Sequence, residues 1–318
     1  MKKLFLLFLF AGAVSCIDND YDLSNIDTDN VTIGGDESEF RMPVAHICMS
    51  VNQLCQSSGQ DAVSVLELYR EADIWLPSTL PGNAEYVEVV RLGSDDAYLA
   101  SLLEALFDEM DRSESKRMEV CELVANRYRQ PFVDFLPSDV PSEVRQQVTS
   151  ASDEEAARLI AELYVQMRSQ VSASITEIAT TYLCDMQLDD VVYEIPGLDL
   201  SSDVRDMLVE NLDPASVDNP VNALYLTGSI DCEFPFLFRL EPRIEQTHID
   251  FGEIEVDNGR TTTLDEVRFY TEDFDRLYMG SRLLMPVTVE RYYPSRGIDE
   301  NQLVNIHLSL LKTGGLTL

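Results

Sequence analysis

Apolar residues recur with one period at the two ends of this chain and with another in its middle. Between residues 42 and 92 the spacing is short. Pro43 to Val51 is a mixed apolar run suited to a strand. Tyr86-Val-Glu-Val-Val-Arg-Leu92 alternates charge against β-branched residues, which predicts a half-buried strand. Between them Ala62 to Tyr69 predicts a short helix. It stops before Trp75-Leu-Pro-Ser-Thr-Leu-Pro-Gly82, where two prolines and a glycine dictate a loop. Trp75, the only tryptophan, is expected as a core anchor or as a platform for a sugar ring.

From residue 94 to 183 the period changes to that of a helix. Ser94 with Asp95 and Asp96 predicts a capped start, and Leu99, Leu102, Leu103, Leu106, Phe107 and Met110 then fall on one face. A second helix carries Met118, Cys121, Val124, Ala125 and Tyr128, and Pro131, Pro137 and Pro141 punctuate the link that follows. Ser152 to Glu155 is a capping box. It opens a helix whose apolar stripe runs through Ile160, Leu163, Tyr164, Met167, Val171, Ile175, Ile178 and Tyr182. With no proline or glycine in it, this helix is expected to run unbroken for about 30 residues, roughly 45 Å. Three facing stripes make a bundle.

After Cys184 the strand pattern returns. Val191 to Gly197 predicts a strand and turn, and Ser201 to Leu212 a short helix. Strands are then expected over Ala223–Cys232, Phe234–Leu240, His248–Val256, Thr261–Tyr270, Leu283–Tyr293 and Leu303–Lys312. Asp257-Asn258-Gly259 and Thr313-Gly314-Gly315 are turn signals. The expected class is α+β: an antiparallel β-sandwich or open barrel with an inserted or preceding helical bundle. An insertion is favoured, because the strands before residue 93 are too few to bury a core alone.

The first sixteen residues follow neither period. Met1-Lys2-Lys3, the apolar run Leu4 to Phe10 and Ala13-Val14-Ser15-Cys16 read as an export signal (1–16) ending in a lipobox, too short to span a membrane. Cleavage there leaves Cys16 as the lipidated first residue, and the membrane as a partner. Residues 17–41 follow as an acidic tether, with five aspartates between Ile17 and Asp29 and no basic residue before Arg41. Asp18, Asp20, Asp22, Ser24 and Asp29 have the spacing of a calcium loop, but Leu23 stands where that loop turns on glycine and Asp29 where it needs glutamate.

Cys16, the acidic cluster and Tyr21-Asp-Leu-Ser-Asn-Ile-Asp-Thr28 resemble the mature ends of a group of Bacteroidota lipoproteins. The resemblance covers about thirty residues. It implies a lipid-anchored protein on the outer face of the outer membrane, and implies nothing about activity.

Composition narrows the partners. The chain holds 57 acidic against 23 basic residues, a net charge of −34, which excludes nucleic acid as a ligand. Five cysteines besides Cys16 leave an odd thiol, and Cys48 with Cys55 is the pair to test for a bridge. Cys121, on a helical stripe, is expected as a small buried hydrophobe.

No nucleophile elbow, phosphate loop, dinucleotide fingerprint or zinc-binding helix occurs, so no catalytic residue, metal site or cofactor is assigned. His46, His248 and His307 fall in three separate predicted strands. His248 and Asp250 offer two metal ligands, or a bulge at Gly252 explains them. The one aromatic and basic concentration is Tyr270, Tyr278, Tyr292 and Tyr293 with Arg276, Arg282, Arg291 and Arg296. Of these, Tyr270, Tyr278, Arg282, Arg291, Tyr292 and Tyr293 are the expected ligand-binding residues.

The expectation is therefore a non-enzymatic surface lipoprotein that binds a protein or glycan through residues 185–318. A polysaccharide hydrolase using paired carboxylates is the first alternative. A structural subunit of an outer-membrane complex, joined through the long helix, is the second. The remaining boundaries are 42–92 for the first β segment and 93–184 for the bundle.

Overall fold

The computed structural model describes residues 32–33, 35–58, 61–195, 197, 202–210 and 212–317. Cys16, the export signal and the tether through residue 31 lie outside them. In chain order the strands are β1 Thr32–Ile33, β2 Glu39–Ser50, β3 Cys55–Ser58, β4 Asp61–Ser64 and β5 Val87–Glu88. They continue with β6 Val191–Ile195, β7 Leu224–Cys232, β8 Phe236–Leu240, β9 Arg243–Ile244 and β10 Ile254–Asp257. The last are β11 Thr261–Phe269, β12 Ser281–Met285, β13 Val287–Tyr292, β14 Leu303–Thr313 and β15 Leu316–Thr317.

The helices are α1 Val65–Trp75, α2 Val89–Leu92, α3 Asp96–Arg112, α4 Glu114–Arg127 and α5 Arg129–Phe135. Then come α6 Ser142–Ser150, α7 Asp153–Gln166, α8 Arg168–Cys184, α9 Ser202–Glu210 and α10 Thr271–Met279.

The class is α+β. Two four-stranded antiparallel sheets, in the orders β11-β7-β14-β2 and β10-β8-β13-β5, pack as a sandwich and do not close into a barrel. Alternation builds both inner faces. Leu226 and Ile230 of β7 with Ile306 and Leu308 of β14 line one; Phe236 and Phe238 of β8 with Val289 and Tyr292 of β13 line the other. Asp257-Asn-Gly259 turns β10 into β11 as its sequence predicts. Gly259 adopts φ +70°, and the Asn258 amide donates to the carbonyls of Glu233 and Phe234. Pro43 sits on β2, the edge of its sheet, opposite the bulge at Leu308–Ser309, where a missing N–H costs least. Gly228 on β7 is required by close approach: a Cβ there would stand 2.1 Å from the His307 carbonyl oxygen.

The helices form a layer over the sandwich. Asp95 caps α3, accepting the Tyr98 amide at 3.0 Å, while the Ser94 hydroxyl donates back to the Val90 carbonyl. The cap is thus one residue later than the sequence indicates. Pro131 lies in the first turn of α5 and Pro141 just before α6, positions that need no intrahelical N–H, so the proline-marked link is itself helical.

Several expectations are corrected. The long helix breaks at Met167, whose φ/ψ of −133°/49° separates α7 from α8. Ser169, Ser172 and Ser174 follow, residues that compete with the helix for backbone hydrogen bonds, and Ser172 does so with the Arg168 carbonyl. Tertiary bonds hold the bend: Arg168 Nε donates to Asp111 at 2.8 Å and the Ser174 hydroxyl to the Phe132 carbonyl at 2.6 Å. The apolar stripe is buried or half-buried throughout, which removes the main motive for an interface along it.

The strand expected over 86–92 lasts two residues, because Val89 and Leu92 bury one face of a helical turn and Arg91 bridges Glu88 and Asp95. The strand expected over 248–256 survives only from Ile254. Gly252 at φ +67° breaks its first half, and Asp250 keeps a single bridge to Arg243. The segment after Tyr270, left without an assigned element between two expected strands, is α10. Strand β2 starts at Glu39, inside the stretch read as tether. Cys48 and Cys55 are unbridged: Cys48 faces solvent on β2, while the Cys55 thiol turns to Asp189 across 3.9 Å. Cys121 is buried as expected, and burial pushes its thiol up to about 12.

Helix α1 joins the two layers. Tyr69 packs its ring 4.4 Å from Phe236 and 4.7 Å from Tyr292, and the Tyr292 hydroxyl donates to Asp73 at 2.6 Å. On the bundle side Glu71, 5 % exposed, accepts from Arg127 at 2.7 Å, Trp75 Nε1 at 3.4 Å and the Tyr128 hydroxyl. Trp75 is fully buried, so it anchors the core. Glu71→Ala is expected to cost about 2–3 kcal/mol, since Trp75 and Tyr128 lose their acceptor while half-exposed Arg127 is rehydrated. Glu71→Gln, which keeps an acceptor oxygen, should cost less than half of that. Urea titration followed by circular dichroism checks both.

Candidate binding site

The six residues expected to bind a ligand occupy three separate places. Tyr270 stands at the start of α10. This helix forms because Phe274 and Leu277 share a buried face and because Asp273, 1 % exposed, gathers the donors around it. The Asp273 carboxylate accepts the Tyr270 amide at 3.1 Å and the His248 amide at 2.8 Å, and lies 3.1 Å from His248 Nδ1. The Tyr270 ring meets the His248 ring edge-on and lies 5.3 Å beneath the Arg268 guanidinium. His248 Nδ1 is taken up by Asp273, and Asp250 accepts the Gly252 amide. No group of three metal-binding side chains is gathered among the described residues.

Tyr278 and Arg282 lie at the other end of α10. Gly280, at φ +100°, ends the helix and leads into β12, which pairs with β6 on one side and β9 on the other. Between these strands and the turn at Gln246 runs an open groove of about 490 Å³, lined among others by Glu194, Glu245, Arg276, Met279 and Arg282. Arg282 Nε stands 3.6 Å from Glu194 and 3.5 Å from Glu245, so the two carboxylates share one guanidinium. Tyr278 lies 5.9 Å beneath the guanidinium of Arg205, which pairs with Asp275.

Arg291, Tyr292 and Tyr293 end β13. The register shift between Val289 and Arg291 resets the alternation. Val289 and Tyr292 therefore both point inward while Arg291 points out. Tyr292 is fully buried between Tyr69 and Phe236 and so cannot touch a ligand. Burial, then Asp73 beside it, raises its hydroxyl well above the usual tyrosine range.

Beyond it half-buried Arg291 and Tyr293, itself only 6 % exposed, meet residues from two other segments. The Arg291 guanidinium lies 4.5 Å over the Tyr86 ring, Tyr86 meets Tyr293 edge-on at 5.7 Å, and Arg296 lies 3.9 Å over Tyr293. Arg296 Nη1 also donates to Asn258 at 2.7 Å. The β13–β5 pairing, Arg291 opposite Glu88, brings Tyr86 alongside.

The chain holds 57 acids, yet among the described residues this stack contains no carboxylate partner for its arginines. Among the described ion pairs, neither Arg291 nor Arg296 has a carboxylate within 4 Å. Both guanidinium groups lie instead over tyrosine faces, and each spends part of its donor set within the protein, Arg291 on Tyr293 and Arg296 on Asn258, which fixes their orientation. Tyr86 was not expected here, since its strand-like surroundings point only to sheet packing. The signal that could have found it is its position one residue before a strand that pairs with the end of β13.

No family model matches the chain, and no curated protein matches it. Among solved structures it is similar to a "putative secreted protein" from Parabacteroides distasonis, with 17% identity over 40% of this chain. The match spans 38% of that chain, at a TM-score of 0.28, a likeness too slight to carry fold or function across.

Proposed function

We propose that the chain is a non-enzymatic binding protein, anchored through lipidated Cys16 to the outer membrane and exposed at the cell surface, and that its ligand is a neutral glycan. The observation that carries the reading is the Tyr86–Arg291–Tyr293–Arg296 stack. Guanidinium groups held flat on aromatic rings present fixed forks of donors, which suit the paired hydroxyl oxygens of a sugar. Neutrality follows from charge: at −34 the protein repels polyanions, while an uncharged glycan approaches unopposed.

The anchor rests on the lipobox sequence and on the acidic stretch after it. No helix among the described residues is long and apolar enough to cross a membrane. Paired carboxylates for a hydrolase are best represented by Glu194 and Glu245. They lean on Arg282, and Glu194 is 80 % exposed, which leaves no enclosed place for a scissile bond.

Affinity electrophoresis through gels containing neutral or acidic polysaccharides tests the ligand class. Retardation by a neutral glycan is expected, unaffected by 0.5 M salt (about a 4 Å Debye length). Arg291→Ala and Arg296→Ala should each weaken it roughly tenfold or more, about 1.4 kcal/mol, and Arg291→Lys should not restore it. Equal retardation of the variants, or salt-sensitive binding to polyanions alone, would contradict the reading.

Protease shaving of intact cells tests the address. Degradation of the wild-type protein in intact cells, and release of Cys16→Ala from the membrane fraction, are expected. Protection until lysis would put the body in the periplasm.

A further inference from the structure

The solvent face of the sheet β11-β7-β14-β2 brings together histidines that lie far apart in sequence. His46 on β2 is directly opposite His307 on β14, with ring centroids 4.3 Å apart and planes within 10°. Both side chains are exposed. Cys48 is two residues along β2 on the same face and is also exposed, with Asn305 opposite it. Asp231 on β7 is opposite Asn305 from the other side, and its Oδ2 lies 3.9 Å from His307 Nε2. Asp231 Oδ1 accepts the Thr261 hydroxyl, which steadies the carboxylate and leaves Oδ2 turned to the histidine.

We infer that His46 and His307 form a chelating pair for a first-row divalent transition metal ion such as zinc, completed by the Cys48 thiolate and the Asp231 carboxylate. Two imidazoles, a thiolate and a carboxylate are the donor types of a four-coordinate zinc site. At Zn–N distances of about 2.0–2.1 Å a tetrahedral ion needs the two nitrogens roughly 3.3 Å apart. Stacked rings on directly opposed strand positions reach that spacing by tilting. Cβ atoms of such cross-strand pairs stand about 4.5–5.5 Å apart, and Cys48 is one strand repeat, about 7 Å, from His46. Three ligands do not already converge among the described residues. The site therefore closes by rotation of the exposed Cys48 side chain and a small shift of half-buried Asp231 that keeps its Oδ1 on Thr261, and the thiol proton passes to water as the metal binds. The rigid inner face, with Ile47, Met49, Ile306 and Ile230 buried, fixes the backbone beneath it. This site is separate from the tyrosine–arginine stack and does not depend on that stack's ligand.

The test is zinc titration of the full mature chain against a chromogenic chelator at neutral pH, beside His46→Ala, His307→Ala, Cys48→Ser and the double histidine variant. One equivalent is expected to bind at micromolar or tighter concentration. Each histidine variant should weaken it at least tenfold, since even supporting groups around a metal cost about 10–100-fold when removed. The three substitutions are at exposed positions, so all four variants should leave the thermal melt unchanged, which separates loss of ligand from loss of fold. Cobalt substitution adds a second readout: a thiolate-to-cobalt absorption band present in the wild type and absent in Cys48→Ser. Zinc binding equal in the wild type and the double histidine variant would reveal only diffuse carboxylate association and overturn the site. An absent thiolate band in the wild type would overturn the role of Cys48.

Discussion

The structure depends on what one helix does with its polar groups. α1 lies between the sandwich and the bundle and must satisfy both, so its buried face is not purely apolar. Toward the sheets, Tyr69 stacks into the Phe236–Tyr292 pair, and Asp73 takes the Tyr292 hydroxyl. Toward the bundle, Glu71 collects Arg127, Tyr128 and Trp75, and the Leu68 carbonyl accepts the Tyr182 hydroxyl at 2.5 Å. Lys116 of α4 reaches back to the Asp73 carbonyl at 3.0 Å. Buried polar groups are stable only when every partner is present, so these bonds fix the relative placement of both layers. Burial raises Asp73 above its ordinary carboxylate range, against the pull of Tyr292 and Lys116. The folded protein thus holds that proton more tightly than the unfolded chain, and this group adds stability as pH falls toward the acid range.

Charge imposes the second constraint. With 57 acids and 23 bases, many arginines are drawn into ion pairs, as Arg91, Arg168, Arg205 and Arg239 are. Arg91 and Arg205 also lie over tyrosines, whereas Arg291 and Arg296 have a tyrosine face and no described ion pair. The β13 bulge places Arg291: it turns Tyr292 into the core and Arg291 outward against Tyr86 in one step. A packing irregularity thereby sets the chemistry of the face above it.

Periodicity made the main strands, α3 and α4 legible, because each buries one regular face; of α1 it gave only Val65–Tyr69, since residues 62–64 are strand β4 and the helix continues through Trp75. It failed where tertiary bonds overrode a continuous stripe. The residues from Ile160 to Tyr182 keep helical spacing through Met167, yet Asp111 and the Phe132 carbonyl hold the chain bent there. α10 was missed although part of its signal is local: Asp273 accepts the Tyr270 amide three residues back and Phe274 and Leu277 share a face, while only the bond to His248 is long-range. The candidate site was legible in part. The Tyr/Arg concentration marks the right strand end, but which of its members face outward depends on a bulge, and Tyr86 arrives from over 200 residues away. The pairing of His46 with His307 is likewise a matter of register between distant strands.

The claim that α1 welds bundle and sandwich into one cooperative unit is tested most directly by equilibrium urea unfolding read with two probes at once. Trp75 fluorescence reports the α1–bundle side, and far-ultraviolet circular dichroism reports the whole chain. Coincident transitions with one midpoint are predicted. A fluorescence transition that separates from the dichroism transition, leaving one layer folded after the other has opened, would contradict it.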